Sequence, residues 1–468
     1  MPGSTLRRGP TLVLRVAAVA AERSLPVGRA ALDTLAALPP SAPDPWPDGL
    51  RGALVRVLAA GQPAIAALET LDQRGLLAAV LPEWAAVRNK PQRNAYHRFT
   101  VDRHLLEAAA RAAPLALRVE RPDLLLLGAL LHDIGKGYPG DHTEVGIELI
   151  ATIGRRMGFT PDDVGTLVSL VRHHLLLADL ATRRDLDDPA TVQAVVDAVG
   201  DRTTLALLAA LTEADSLATG PAAWGPWKAG LVADLVQRAG VALSDGAAPP
   251  AGPAGGAVTD RHRALMAQVE RLGRSIVVAD PPRVTVVARD RPGLLAAVTG
   301  VLALRGLDVR SANVSGEGDF AVETFAVDTA RGRWPDWELV ADEVDAALRG
   351  TLALAERLAE QARAYAGGRR PSSPTPAETR VTVDSGASAT STVVDVRAVD
   401  EVGLLHRVTT TLYELGLDVV AARVSTLGEE VVDAFYTRDK PTGGKVTDSE
   451  RIRHIERRVL ESLTTAPT

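Results

Sequence analysis

The stretch Leu124-Leu-Leu-Leu-Gly-Ala-Leu-Leu-His-Asp-Ile-Gly-Lys136 decides how the first half of this chain folds. Its run of apolar and small residues predicts a helix that is buried on every side. His132 and Asp133 follow directly, and two ionisable groups at the end of a buried helix are costly unless they pair or bind a metal. Both side chains are good ligands for a divalent cation. The stretch therefore predicts a helical domain with a metal site at the end of one helix.

The histidines of the chain cluster around this stretch. Six of the nine lie within residues 96–240. The candidate ligands, which stand in or beside apolar helical patterns, are His104, His132, Asp133, His142, His173, His174 and Asp215. Any one of them could be a satisfied or solvated side chain. Their occurrence together within about 110 residues favours a shared site.

The last third of the chain contains an internal repeat. At a shift of 110 residues, Asp290-Arg-Pro-Gly-Leu-Leu295 aligns with Asp400-Glu-Val-Gly-Leu-Leu405, and 17 of the 36 positions from 290 to 325 are identical. Gly306 aligns with Gly416, and each stands where the end of a helix favours a residue with positive φ. Two copies indicate a duplicated small domain rather than a solenoid. Each copy is predicted to be a βαββαβ unit, an open antiparallel sheet covered by helices on one side.

Composition divides the rest of the chain. Residues 1–95 are predicted to be helical from apolar residues at spacings of three and four, which are Leu54, Val57, Leu58, Ile65, Leu68 and Leu71. Stretches rich in Gly and Pro near 244–256 and 366–376 predict linkers. The predicted boundaries are a helical segment 1–95, a helical domain 96–243, a linker 244–282, an α+β domain 283–365, a linker 366–390 and a second α+β domain 391–468.

Bulk composition narrows the classes of function. A net charge of −6 disfavours a general nucleic-acid binder, which usually presents a basic face. The absence of Cys excludes disulfides, thiolate ligands and cysteine nucleophiles, and fits a cytoplasmic protein. No apolar run reaches the ~20 residues that a membrane helix needs. Arg15 interrupts the apolar stretch 11–21, which favours an amphipathic first helix over a signal peptide.

Several short motifs resemble a known family when they are taken together. They are Tyr96-His-Arg-Phe-Thr-Val-Asp-Arg-His104, Ala129-Leu-Leu-His-Asp-Ile-Gly-Lys136, Gly140-Asp-His142, Val171-Arg-His-His-Leu175, Arg183-Arg-Asp185 and Trp224-Gly-Pro-Trp-Lys228. The histidines and aspartates resemble the HD phosphohydrolase superfamily. The wider set resembles the bifunctional PII uridylyltransferase/uridylyl-removing enzymes, whose paired ACT domains match the repeat. The fold class is thus predicted to be multidomain, an all-α HD-type helical bundle followed by two α+β ferredoxin-like ACT domains.

The resemblance implies metal-dependent hydrolysis of the nucleotidyl-tyrosine bond on the PII signal protein, in nitrogen regulation. It implies a first Mg²⁺ or Mn²⁺ site made by His104, His132, Asp133 and Asp215, and a second site that His142 and His174 complete or hold weakly. It favours His174 over the adjacent His173, and it makes His132, Asp133 and Lys136 the catalytic residues.

The basic residues Lys136, Arg183 and Arg184 allow more than one interpretation. Lys136 either contacts a substrate phosphate or only complements a helix C-terminus. Arg183 and Arg184 either contact the phosphate or the partner protein, or form a solvated charge run.

The two Gly turns of the repeat are candidate effector sites. Gly at such a turn lets the backbone approach a small ligand, and exposed amide groups suit a carboxylate. The alternative is a tight turn from strand to helix without a ligand. The resemblance implies glutamine as effector, held by Asp290, Gly293, Leu294 and Asn313 in the first copy and by Asp400, Gly403 and Leu404 in the second. Asn313 aligns with Arg423, so the two sites are not equivalent.

One part of the family pattern is not found. In the family, a nucleotidyltransferase domain marked by Gly-Ser and a following Asp-x-Asp precedes the HD domain. Here Gly3-Ser4 is followed by no acidic residue before Glu22. The chain is thus expected to lack the transferase site. Three hypotheses follow: a nucleotidyl-removing hydrolase, with uridylyl and adenylyl groups both open; a fragment of the full bifunctional enzyme; or a non-catalytic amino-acid sensor.

Overall fold

The computed structural model describes most of the chain. The described residues are 9–37, 42, 44–47, 49–92, 98–220, 223–245, 258–329, 332–366, 379–427 and 430–464. Gly3, Ser4, Tyr96 and His97 of the sequence motifs lie outside these ranges. The chain divides into two compact units, the first formed by Met1–Ala181 and Gln193–Ala248, the second by Thr182–Val192 and Pro249–Thr468.

Every regular element in the described part of the first unit is a helix. In chain order these are α1 (Gly9–Glu22), α2 (Arg29–Ala36), α3 (Leu50–Ala59), α4 (Gln62–Gln73), α5 (Leu76–Val80), α6 (Trp84–Val87), α7 (Val101–Leu115), α8 (Pro122–Leu131), α9 (His142–Arg156), α10 (Pro161–His173), α11 (Leu176–Arg183), α12 (Pro189–Val199), α13 (Arg202–Thr219) and α14 (Pro226–Asp245). Helices α11 and α12 extend into the Thr182–Val192 segment of the second unit. Ala116–Arg118 and Ile134–Gly137 form short 3₁₀ turns.

The spacing of apolar residues explains why this unit is helical and which residues form its core. The six core residues predicted in the N-terminal segment are all buried, and α8 is buried from Leu124 to Leu131. Residues 1–95 belong to the same compact unit as the helices that follow them, so the predicted boundary at 95 does not separate two compact bodies. No single described helix is long and apolar enough to cross a membrane; only α10 and α11 taken together, across a bend of 41°, satisfy that test of length and composition.

The second unit is built mainly from the repeat. Its elements are α15 (Asp260–Leu272), β1 (Ile276–Asp280), β2 (Arg283–Arg289), α16 (Leu294–Leu304), β3 (Leu307–Glu317), β4 (Phe320–Thr329), α17 (Trp337–Leu348), α18 (Leu354–Ala366), β5 (Arg380–Asp384), β6 (Thr392–Val399), α19 (Leu404–Glu414), β7 (Leu417–Leu427), β8 (Glu430–Asp439) and α20 (Ser449–Thr464).

The two copies share one antiparallel sheet of eight strands, in the order β1-β2-β4-β3-β7-β8-β6-β5. They join where β3 pairs with β7, with Ala312 opposite Ala422. Helices α16 to α20 cover one face and enclose the main core, which contains Phe325 and Phe435. On the other face α15 packs against the first copy, where Met266 meets Val322.

The predicted fold class is confirmed, and the structure corrects its details. Each copy runs ββαββα rather than βαββαβ, because the outer strand (β1 or β5) precedes the Gly-turn strand and pairs with it as an antiparallel neighbour. The predicted linker 244–282 contains α15, which a capping box at Thr259 begins and an apolar face holds on the sheet. The domain boundaries drawn from composition otherwise stay predictions.

Candidate metal centre and effector turns

Six predicted ligand residues converge in the first unit, and helix ends position most of them. His104 lies on α7 and Asp215 on α13; His132 and His174 directly follow α8 and α10; Asp133 follows His132, and His142 begins α9. They form two groups with ligand atoms within 4.8 Å of one another: His104, His132 and Asp215, and Asp133, His142 and His174.

Asp133 lies between the two groups. Its Oδ2 is 3.5 Å from His132 Nε2 and 3.8 Å from His104 Nε2. Its Oδ1 is 3.7 Å from His174 Nε2 and 4.0 Å from His142 Nε2. One carboxylate is thus placed to serve two adjacent cations, whereas the sequence assigned Asp133 to the first site alone.

The donor set fits a metal ion. His132 Nδ1 donates to the Ala129 carbonyl at 3.0 Å, and His174 Nδ1 donates to the Val171 carbonyl at 2.7 Å. These bonds fix the rings and leave each Nε2 for the centre. Buried His132 Nε2 and Asp133 Oδ1 make no hydrogen bond within the part of the chain that the structure describes. Buried polar atoms without partners are rare, and a cation between them would satisfy both.

The electrostatics of the centre favour cation binding. Burial lowers the pKa of His132, but the carboxylates of Asp133 and Asp215 outweigh it, and the net shift is upward. Burial prevails at His174, whose pKa is lowered. Burial raises the pKa of Asp133, yet the charges of His132 and Lys136 hold it well below its usual range. Asp215 is likewise lowered, against burial, by His132 and His104. Both carboxylates are therefore ionised in the fold.

The surroundings of Lys136 and His174 bear on two further predictions from the sequence. Lys136 Nζ forms an ion pair with Asp133 Oδ2 and donates to Gln92 Oε1 at 3.3 Å, so it is tied to the centre rather than only to a helix end. His173 ends α10 and is in neither ligand group, whereas the adjacent His174 is buried in one. The choice of His174 over His173 thus agrees with the geometry.

A glycine in the turn after Asp133 lets the candidate ligands come close together. A Cβ on Gly135 would lie 2.0 Å from the His142 carbonyl oxygen, so only Gly lets the 3₁₀ turn after Asp133 touch the start of α9. Asp141 fixes that start, because its side chain accepts from the amides of Thr143 and Glu144 at 2.9 and 3.0 Å. Sequence analysis missed this role of Gly135.

The Gly turns of the repeat adopt the predicted conformation. Gly293 and Gly403 begin α16 and α19 with φ of +81° and +80°, where a side chain would be strained. The two helices meet at equivalent positions of the copies, with Thr299 Oγ1 3.3 Å from Thr409 Oγ1. The two turns are therefore related by an approximate internal twofold.

Of the remaining predicted effector residues, four lie beside the Gly turns and one does not. Asp290 and Leu294 flank Gly293, and Asp400 and Leu404 flank Gly403. Asn313 does not join its turn, because its neighbour Ala312 points into the main core and Asn313 points to the opposite face of the sheet. There its Oδ1 accepts from Arg423 Nη1 at 3.1 Å.

Arg184 is also not a solvated charge. It donates to both carboxylate oxygens of Asp395, at 2.5 and 2.8 Å.

Comparison with known families agrees with this architecture. Residues 101–219 match the HD-domain family, and residues 283–332 and 392–449 match the ACT-domain family. The fold and the His/Asp centre thus define the class: an HD domain followed by two ACT domains.

The chain as a whole is similar to proteins named bifunctional uridylyltransferase/uridylyl-removing enzyme. It is 42% identical to the one from Streptomyces coelicolor over 98% of this chain and 60% of that relative. It is 42% identical to the one from Mycobacterium tuberculosis (strain H37Rv) over 91% of this chain and 54% of the relative. For Gluconobacter oxydans the identity is 33%, over 86% and 49%. The resemblance inferred from the motifs is confirmed, and the chain spans about half to three fifths of the length of these relatives.

Proposed function

We propose that this chain is a metal-dependent phosphodiesterase that removes a nucleotidyl group, uridylyl in the first instance, from a tyrosine of the PII signal protein. The observation that carries the proposal is the buried His/Asp centre, in which His132 Nε2 and Asp133 Oδ1 make no hydrogen bond to any residue that the structure describes. The relatives' name, which includes uridylyl removal, supports the choice of group.

The centre would hold one or two divalent cations, with Mg²⁺ or Mn²⁺ the expected metals. The first would be held by His104, His132 and Asp215, the second by His142 and His174, with Asp133 between them. A cation there would lower the pKa of a water molecule and offset charge on the phosphoryl oxygens.

The chain's own side chains define the open side of the centre. His104, His132 and His174 are buried, whereas the His142 side chain is 36% exposed and that of Lys136 is 25% exposed. A phosphodiester would therefore approach past His142 and Lys136. Asp133 holds Lys136 Nζ at this opening, where its remaining N–H groups can donate to a phosphate oxygen. Lys136 would thus orient the substrate, and Asp133 would position both Lys136 and the cations.

The ACT pair supplies the regulation in this proposal, with glutamine as the effector at the turns around Gly293 and Gly403. The left-handed Gly and the following helix N-terminus present backbone amides, which suit a carboxylate. Glutamine control requires that the ligand bind the active arrangement more tightly than the inactive one.

The test is release of nucleotide from uridylylated PII by the full chain with Mn²⁺ or Mg²⁺, with and without glutamine. Adenylylated PII serves as the second substrate. The variant is His132→Ala with Asp133→Ala, and His173→Ala is the matched control because that histidine lies outside the centre.

We expect metal-dependent release by the wild type and by His173→Ala, and loss of at least a hundredfold in the double variant. No release by folded, metal-loaded wild type would refute the hydrolase and favour a non-catalytic sensor. Faster release from adenylylated PII would change the assigned nucleotidyl group. Release that ignores glutamine would remove that effector while leaving the hydrolase intact.

A further inference from the structure

The segment Thr182–Val192 has an unusual place in the molecule. It lies within the stretch of sequence that matches the HD domain, yet it is part of the second compact unit. The chain reaches it through α11, which begins two residues after His174. The chain leaves it through α12, which is followed by α13 and Asp215. Residues of the candidate metal centre thus stand on both sides of the segment along the chain.

Charged and polar bonds fix the segment to the second ACT copy. Arg184 forms its paired bonds with Asp395 of β6. The Asp185 amide donates to Tyr436 Oη at 2.6 Å, and Arg423 Nη2 donates to Asp185 Oδ1 at 3.0 Å. The side chains of Arg423 and Asp185 are 19% and 12% exposed, so this pair is largely shielded from water. Shielded charge-assisted bonds are stronger than surface ion pairs, and losing one partner leaves an unpaired charge.

Asp188 gives the segment a second attachment. Its carboxylate accepts from Ser388 Oγ and from the Ala389 amide. The same carboxylate accepts from the Ala190 amide at 3.0 Å, in the first turn of α12. One side chain therefore joins the connection between β5 and β6 to the start of α12.

The two ACT copies differ where the segment binds. At the shift of 110 residues, Asp395, Arg423 and Tyr436 correspond to Thr285, Asn313 and Ala326. The first copy thus has none of the three binding side chains. Ser388 lies in the connection 385–391, where the first copy has only residues 281–282. By contrast, the turn glycines Gly293 and Gly403 and the contact pair Thr299 and Thr409 are the same in both copies. The two copies therefore differ at the face that holds the segment.

Arg423 joins the segment to both ACT copies. It lies on β7, opposite Ser311 of β3, where the two copies join in one sheet. One guanidinium nitrogen donates to Asn313 of the first copy and the other to Asp185 of the segment. A shift of one copy against the other therefore changes the geometry of the Arg423 bonds.

We propose that the paired ACT domains act on the metal centre through the segment Thr182–Val192. Arg423 is the positioning residue, because it links this segment to the β3–β7 pairing where the two copies join. The regulatory meaning rests on the proposed function. The coupling itself does not, because it can be measured with Mn²⁺ alone.

The test compares the full chain with Arg423→Gln and Arg310→Gln. Arg310 is the matched control: it lies on β3 and forms a more exposed pair with Asp328, Nε to Oδ2 at 3.0 Å. Hydrogen–deuterium exchange of the peptide covering Thr182–Val192 reports the docking. Titration calorimetry with Mn²⁺ reports the centre. Unchanged exchange in β7 and β8 verifies that the sheet is folded, and Asp185→Asn is used if Arg423→Gln disturbs it.

In Arg423→Gln we expect exchange within the segment to rise about tenfold and Mn²⁺ affinity to fall at least threefold, with neither change in Arg310→Gln. Unchanged exchange would show that Arg423 does not hold the segment. Faster exchange with unchanged Mn²⁺ affinity would show a docked segment that does not reach the centre. Either result overturns the proposal. Absence of nucleotide release would refute only the proposed function, because neither measurement uses it.

Discussion

Replacing Glu323 by Gln should change how the stability of the ACT pair depends on pH. Glu323 lies on β4 between Val286 and Val314 of the neighbouring strands and is 1% exposed. Its Oε2 makes no hydrogen bond to any residue that the structure describes. Burial, with a smaller contribution from the charge of Asp290, raises the pKa of Glu323 from 4.5 to about 8. The folded protein therefore holds this side chain protonated at neutral pH.

The magnitude follows from the two pKa values. A raised pKa in the fold means that stability is fully present below pH 4.5 and is lost as the pH rises towards 8. Each pKa unit corresponds to about 1.36 kcal/mol, so the whole loss is about 5 kcal/mol, of which about 3 kcal/mol falls between about pH 6 and pH 9. Glu323→Gln cannot ionise and should lose none of this amount.

The assay is native-state hydrogen exchange of β4 in the full chain at pH 6 and pH 9, corrected for the intrinsic exchange rate. Glu317→Gln is the matched control, because that side chain is 51% exposed at the end of β3. Wild type and control should lose about 3 kcal/mol more than Glu323→Gln over this range. An equal loss in all three proteins would refute the argument that an unpaired, buried carboxyl lies in this core.

Further tests address the metal centre. Gly135→Ala should lower Mn²⁺ affinity at least tenfold in calorimetry, since its Cβ would lie 2.0 Å from the His142 carbonyl oxygen; Gly165→Ala, with nothing within 4 Å, should leave the affinity unchanged. His174→Ala should likewise cost at least tenfold in Mn²⁺ affinity, whereas His173→Ala should bind as the wild type does; equal losses in the two histidine variants would contradict the assignment of ligands.

Local signals in the sequence were sufficient for much of the fold. The buried run before His132 and the Gly that begins each repeat helix are decided by neighbours a few residues apart, and periodicity detects such neighbours. The order of the strands, by contrast, does not follow from such local signals. Nothing in the sequence of β1 marks it as the partner of β2. Because Gly- and Pro-rich residues precede α15, both α15 and β1 fall within a predicted linker. Pairing between strands depends on tertiary contacts, which composition does not predict.

The candidate centre was predictable in membership but not in geometry. The residue types, their apolar surroundings and the family resemblance predicted six candidate ligands, and the structure brings these six residues together in two groups. The position of Asp133 between two groups depends on how closely the turn at Gly135 approaches α9, and that distance is set by packing. A Gly after a helix suggests a stop, and only the neighbouring chain reveals that it also permits contact.

The charge run Arg184-Asp-Leu-Asp-Asp188 shows most clearly that local sequence patterns do not predict contacts between distant residues. Within its own window it has the composition of a solvated loop, yet Arg184, Asp185 and Asp188 each bond to residues about 200 or more positions away. The signal that could have found it lies in the repeat. Where two copies agree in their turns and helix contact, a cluster of charged or polar side chains present in one copy alone indicates that this copy has a partner. In this chain that partner is Thr182–Val192, which α11 joins to His174 and which α12 and α13 join to Asp215.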